Sequence, residues 1–290
     1  MLSRCSSPIS RSRVKSLCST LSIRTTALIV GLGASAVGQT DSVGPHRSLF
    51  TWRDGLLAGA FVGGTIAIRP LDKSAADLLQ SPERQKSVVY KVSARGLATF
   101  ALPGAFIIGT TMYAVGRVSK VDRLAELGLF GTEALLIGEG TGSVLKDIFG
   151  RARPWVDSTP NPDNWQLLRG FHGGDKYRSF PSGHTVAAFA AAAAVSTETS
   201  RWWPTGIYVI GPAMYGGAAL VGLSRMYDNR HWASDVILGA AIGTFAGTKV
   251  VRYHRTHPGN RIDRFLLRAS LSPSDPSHIS LSILPVLSPW

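Results

Sequence analysis

Apolar residues in this chain gather in long Ala- and Gly-rich blocks that are poor in strand formers, which predicts helices rather than alternating strands and helices. The blocks cover residues 55–68, 94–117, 123–148, 184–200, 205–223 and 232–252, and no internal repeat relates them. The expected fold class is all-α, a helical bundle of about six helices. Gly96 to Gly116 and Gly206 to Ser224 carry no charge, and both approach the ~20 residues that a bilayer span needs. The other blocks qualify less easily. The third carries Glu126, Glu133 and Glu139, the first is short, and the fourth is an alanine run of modest hydrophobicity. Buried helices of a soluble bundle account for these nearly as well, so spanning stays open.

The segment from Trp155 to Phe180, rich in Pro, Gly, Asp and Asn, reads as a loop, and loops of that length inside a domain are usually functional. From Arg261 the composition shifts to Pro and Ser with a weak alternation at Ile279, Leu281 and Ile283, read as a tail with a short hairpin around Ser272 to Ser277. The organisation that follows is a signal peptide or N-terminal anchor over 1–38, a segment with one short helix over 39–92, a core over 93–252 and a tail over 253–290.

Charge changes this picture at the N-terminus. The formal net charge is +13, and Arg4, Arg11, Arg13, Lys15 and Arg24 crowd ahead of the apolar run Ala27 to Gly33 with no acid among them. A basic, Ser-rich stretch leading to an apolar run and then to Ala34-Ser35-Ala36 reads as a secretory signal, with an uncleaved anchor or a transit peptide as alternatives. Both cysteines, Cys5 and Cys18, fall in this segment, so neither can staple the body. Further on, Arg117, Lys120 and Arg123 cluster between two helices, and Lys249, Arg252, Arg255, Arg261, Arg264 and Arg268 follow the last. If the helices span, both clusters fall on one side, cytoplasmic by the positive-inside preference, and the opposite helix ends face outward. That arrangement fails if 27–38, 55–68 and every later helix all span, so at least one of them does not.

Three constellations carry candidate chemistry. Lys146 and Arg153 stand two helical turns apart where Gly150 and Pro154 predict a helix end. Pro181-Ser182-Gly183-His184 leads into the alanine-rich helix, where Ser182 is a natural cap and the free N–H groups of a helix start form an anion site. Ser224-Arg225 precedes His231 and Asp235, whose spacing of four would set the carboxylate one turn below the imidazole, holding one ring nitrogen and leaving the other as a free lone pair. Taken singly, each is as readily a helix cap, a surface pair or a solvated face. Trp202, Trp203 and Trp232 read as a membrane-interface belt or as core, Glu133 and Glu139 as a polar helix face or as functional groups, and His172 as exposed or substrate-facing.

Together, Lys146-x6-Arg153-Pro154, Pro181-Ser182-Gly183-His184 and Ser224-Arg225-x5-His231-x3-Asp235 resemble the type 2 phosphatidic acid phosphatase superfamily, which also holds class A acid phosphatases and vanadium haloperoxidases. The resemblance spans roughly residues 90–252. It implies an active site at one end of the bundle in which His231 attacks phosphorus, Asp235 orients it and His184 protonates the leaving oxygen and then activates water. It further implies that Lys146, Arg153, Arg225, Ser182 and the Gly183 N–H bind the phosphate oxygens. Three cations can stabilise the charge of phosphoryl transfer, so the expectation is a metal-independent phosphatase with no cofactor. The rival idea, a metal held by His172, His184, His231 and Asp235, lacks a recognised ligand spacing. The expected substrate is a phosphate monoester or diphosphate, foremost a lipid phosphate such as phosphatidic acid or a polyprenyl diphosphate, with a membrane as partner and no nucleic acid. The alternatives are a soluble periplasmic acid phosphatase and a haloperoxidase that would hold vanadate. The expected location is the cell envelope: an inner membrane with an outward-facing site, or periplasmic or secreted if the helices do not span.

Overall fold

A computed structural model describes residues 48–267, all within one unit, Thr40–Trp290. The targeting segment, both cysteines, Arg268 and the hairpin at Ser272 to Ser277 lie outside the described residues. Among those described, every regular element is helical.

Six long helical stretches correspond to the six apolar blocks. Helix α1, Trp52–Ile68, opens on Thr51, whose N–H and hydroxyl both bond the Asp54 carboxylate at its third position, and it runs through Arg69-Pro70-Leu71 into α2, Asp72–Leu79. A single turn, α3, Pro82–Gln85, precedes α4, Val88–Thr99. Pro103 lacks an N–H to continue the ladder, and Leu102 is extended there, so the second block bends between α4 and α5, Ala105–Val118. Then come α6, Asp122–Phe149, α7, Gly183–Trp202, α8, Ile207–Tyr227, and α9, Ala233–Thr256. A short α10, Arg261–Leu266, stands where the sequence pattern gave only tail, and the 39–92 segment, expected to hold one short helix, also holds α2 and α3.

Small residues let these helices approach closely. An ideal Cβ on Gly239, Gly243 or Gly247 of α9 would lie 2.7, 2.3 or 2.4 Å from the carbonyl oxygens of Ser182, Val186 and Ala190 respectively, so the backbones of α7 and α9 nearly touch. Gly109 and Gly116 of α5 meet α6 at Gly128 and Ala125 in the same way. The core beside them is Leu129, Phe130, Leu135, Ala187, Ala190 and Val251. Helices α6 and α8 run toward one end of the bundle and α7 and α9 away from it, which brings the 150–182 segment and the α8–α9 turn together. At the other end His254 bonds Glu133 and Asp263, each at 2.6 Å, and Arg255 joins Glu126 and Glu198, tying α10 to the bundle. Glu133, expected on a polar helix face, is thus an inter-helix partner, and so is Glu126.

Among the described residues, three stretches are long and apolar enough to cross a membrane: Val88–Val118, Ile207–Tyr227 and Ala233–Thr256. Only 17% and 28% of the first two are buried, against 61% of the third, so α4, α5 and α8 turn their apolar side chains outward while α9 is central.

Candidate active site

The site is built at three chain reversals. Helix α6 stops because Gly150 adopts the left-handed conformation (φ 53°), where a Cβ would sit 2.2 Å from the Gln166 carbonyl. Lys146, on its last turn, reaches the start of α7: an ideal Cβ on Gly183 would lie 2.6 Å from Lys146 Nζ and 2.9 Å from Glu139 Oε2. The missing side chain of Gly183 therefore makes the room that both groups occupy. Past the turn, Arg153 is fixed by Asp175, donating to its carbonyl at 2.8 Å and its carboxylate at 2.7 Å. Its Nη1 stands 3.3 Å from His231 Nε2.

Ser182 takes the N-cap position of α7, but its hydroxyl accepts from Thr185 Oγ1 at 2.9 Å and makes no side-chain bond to a backbone N–H. Its own N–H donates to the Asp235 carbonyl at 3.0 Å, which stitches the second motif to the third. His184 follows, half-buried, on the first turn. Arg225, at the end of α8, is held by Asp228 at 2.6 Å.

His231 departs from the helical His-Asp pair. It precedes Trp232, the N-cap of α9, so it is not on the helix, and its Nδ1 lies 2.7 Å from the Ser179 carbonyl and 3.6 Å from Asp235 Oδ2. The carbonyl can only accept, so Nδ1 carries the proton and Nε2 presents its lone pair toward Arg153. Asp235, third in the helix, instead receives the Trp232 N–H at 2.9 Å, the Ser179 hydroxyl at 2.5 Å and Arg151 Nη1 at 2.5 Å. It holds the residue that holds the imidazole.

Burial, with the Arg153 guanidinium alongside, pushes His231 down to about 4. Burial and the charge of Arg225 push His184 down to about 3, with His231, Lys146 and Arg153 adding to the effect. Burial thus favours the neutral form of both imidazoles at neutral pH. Burial also lowers Lys146 and raises Glu139, so each charged form depends on the other and on whatever enters between them.

The structure thus gathers Lys146, Arg153, Ser182, Gly183, His184, Arg225, His231 and Asp235 at one end of the bundle. His172 is exposed in the loop, and Trp232 is core, its indole N–H bonded to the Ala152 carbonyl at 2.9 Å, with no part in an interface belt. The metal idea fits poorly: both nitrogens of His231 and both oxygens of Asp235 face donors or a carbonyl already, and the surroundings are cationic. Sequence reasoning missed Ser179, Arg151, Asp72 and Asp175. Arg151 and Ser179 lie within three residues of named motifs, a signal that was available, whereas Asp72 is far off in the chain and gave none.

Residues 129–258 match the PAP2 superfamily. The chain is 42% identical over 77 residues to lipid A 1-phosphatase of Porphyromonas gingivalis, covering 26% of this chain and 16% of that protein. It is 29% identical over 188 residues to phosphatidylglycerophosphatase B of Bacillus subtilis, covering 62% of this chain and 81% of that one. The crystal structure of Aquifex aeolicus LpxE aligns with a TM-score of 0.45 at 21% identity, covering 63% of this chain and 96% of that chain. All eight gathered residues lie inside the segment that matches the PAP2 superfamily.

Proposed function

We propose that this protein is a membrane-embedded lipid phosphatase that hydrolyses a phosphate monoester or diphosphate through a phosphohistidine at His231, without a metal. The observation that carries the reading is the neutral Nε2 lone pair of a buried histidine, set in a pocket with Lys146, Arg153 and Arg225.

In the first step Nε2 bonds to phosphorus, the bond from phosphorus to the leaving oxygen breaks, and His184 gives that oxygen a proton. Burial and the neighbouring cations favour neutral His184, and the negative charge of a bound phosphate favours its protonation. In the second step water attacks phosphorus, His184 takes the water proton, and the phosphorus–nitrogen bond breaks to release phosphate and restore His231. The cations, Ser182 and the Gly183 N–H stabilise the equatorial oxygens in both steps. Stabilisation of the imidazolium-like nitrogen falls to the Ser179 carbonyl, with Asp235 behind it.

The lipid reading is supported by the outward apolar surfaces of α4, α5 and α8 and by the names of the relatives. Basic residues Arg117, Lys120, Arg123, Arg252 and Arg261 lie at the bundle end away from the site, and α1 starts at that same end, where Asp54 pairs with Lys249 at 2.6 Å. By the positive-inside preference that end is cytoplasmic and the site faces outward from an inner membrane. The test is phosphate release from phosphatidic acid, a polyprenyl diphosphate and an aryl phosphate in detergent micelles, with chelator and with or without vanadate. Chelator-resistant, vanadate-inhibited hydrolysis that prefers the lipids is expected. Loss of activity to chelator would overturn the metal-free chemistry, and bromide- and peroxide-dependent halogenation with vanadate, in place of hydrolysis, would overturn the phosphatase.

A further inference from the structure

Arg151 is completely buried yet points away from the phosphate pocket. Its Nη1 donates to Asp235 Oδ1 at 2.5 Å and to Ser234 Oγ at 2.7 Å, while Nη2 donates to Asp72 Oδ2 at 2.7 Å and to the Pro162 carbonyl at 2.9 Å. The guanidinium lies over the rings of Trp165 and Trp232, 4.4 and 5.3 Å from their centroids. Asp72, first residue of α2, is 0% exposed and takes two further bonds, from the Ser234 N–H at 2.8 Å and the Ser234 hydroxyl at 2.6 Å.

One guanidinium therefore serves two buried carboxylates, and a buried ion of either sign is tolerated only when matched in this way. The chain of bonds runs from Asp72 through Arg151 and Ser234 to Asp235, from Asp235 to the Ser179 hydroxyl, and from the Ser179 carbonyl to His231 Nδ1. Each link is a charged or polar group with no alternative partner in water, so a change at its start is passed to its end rather than absorbed by solvent. None of the links touches Lys146, Arg225 or Gly183; the network meets the phosphate-binding groups where the Ser182 N–H bonds the Asp235 carbonyl and where Arg153 stands beside His231 Nε2.

We propose that Asp72 is a positioning residue for His231, acting through Arg151 and Ser234 on Asp235 and Ser179. It lies outside the 129–258 segment that matches the superfamily, so α2 supports the site from beyond the matched segment. The inference rests on the reading of His231 as nucleophile. Asn at position 72 must turn its amide toward either Arg151 or the Ser234 N–H, two donors facing in both cases, and the Asp235 carboxylate is then left to balance Arg151 alone. Displacement of the imidazole by a fraction of an ångström to 1 Å lowers the chemical step by about 10- to 100-fold while leaving phosphate binding in place.

The experiment compares wild type, Asp72→Asn and Ser234→Ala for kcat, KM, inhibition by vanadate, inhibition by inorganic phosphate and thermal midpoint. For Asp72→Asn the expected result is kcat down about 10- to 100-fold with KM changed less than about threefold. Vanadate, which takes a bond from the nucleophile, should weaken by the same factor, and inorganic phosphate should not. A folded Asp72→Asn enzyme with wild-type kcat, or a loss confined to KM, overturns the proposal. If Asp72→Asn does not fold, Ser234→Ala decides, since it removes the hydroxyl link and leaves every charge in place. A several-fold loss of kcat tracked by vanadate supports the proposal, and wild-type kcat overturns it. Wild-type turnover in the same series tests the phosphatase reading separately, so a silent wild type indicts that reading and not Asp72.

Discussion

One methyl group, added at either of two glycines, should have opposite consequences. At Gly243 the new Cβ would lie 2.3 Å from the Val186 carbonyl oxygen and 2.8 Å from the Ala190 nitrogen, both backbone atoms of α7. A carbon–oxygen contact settles at about 3.3 Å, so α7 and α9 must part by about 1 Å, and a gap of that size forfeits a quarter to a half of each dispersion contact across it. Overpacking of this kind costs about 1–3 kcal/mol, and the better helix propensity of Ala returns only about 0.5–1 kcal/mol. Gly243→Ala should thus lose about 1–2 kcal/mol of stability, with kcat of the folded fraction little changed. At Gly183 the obstructing atoms are the tips of flexible side chains, Lys146 Nζ at 2.6 Å and Glu139 Oε2 at 2.9 Å, which can swing aside. Gly183→Ala should hold stability within about 0.5 kcal/mol yet lower kcat/KM about 10- to 100-fold, because the displaced ammonium leaves the phosphate cradle. Thermal unfolding in detergent, read beside phosphate release, separates the two effects. A fully active Gly183→Ala, or a Gly243→Ala as stable as wild type, would refute the packing argument.

Other perturbations follow from the same contacts. Asp235→Asn removes one of two carboxylates from Arg151, so it should destabilise the fold by about 3 kcal/mol as well as slow turnover, which unfolding and kinetics measured on one sample will show. His231 has its proton affinity depressed by burial to about 4, below the ordinary value of 6.5, so it stays neutral in the fold where the unfolded chain takes a proton. Its contribution is intact above pH 6.5 and is lost as pH falls from 6.5 toward 4, by about 1.4 kcal/mol per pH unit, and His231→Ala should flatten that part of the stability–pH curve. A curve for the variant that parallels wild type through this window would count against the buried neutral imidazole.

Much of this architecture is readable from local pattern, and what is not has a common cause. The six apolar blocks and the helix-ending Gly150 leave their signature within a few residues, as do the three motifs. The four-residue spacing of His231 and Asp235 misleads, because the helix begins at Ala233 and the histidine sits before its cap, free to turn to Ser179. Helix α2 is short and polar enough to pass for loop, and its docking on α8 and α9 is a tertiary event. Asp72 meets Ser234 across 162 positions, and no periodicity encodes such a contact. Glu139 reads as part of a polar helix face for the same reason: what fills the space beside it is the start of α7, absent from its own helix.

The most direct test of the account is to trap the intermediate. Wild type and a His184→Asn variant, which lacks the base for the second step, are mixed with an aryl phosphate whose leaving oxygen needs little protonation in the first, quenched in base, where a phosphoryl–nitrogen bond survives, and mapped by mass spectrometry. A phosphoryl group on the His231 imidazole, accumulating in His184→Asn and absent from His231→Ala, is the predicted result. Hydrolysis that proceeds with His231 unmodified, or an adduct on any other residue, would contradict it.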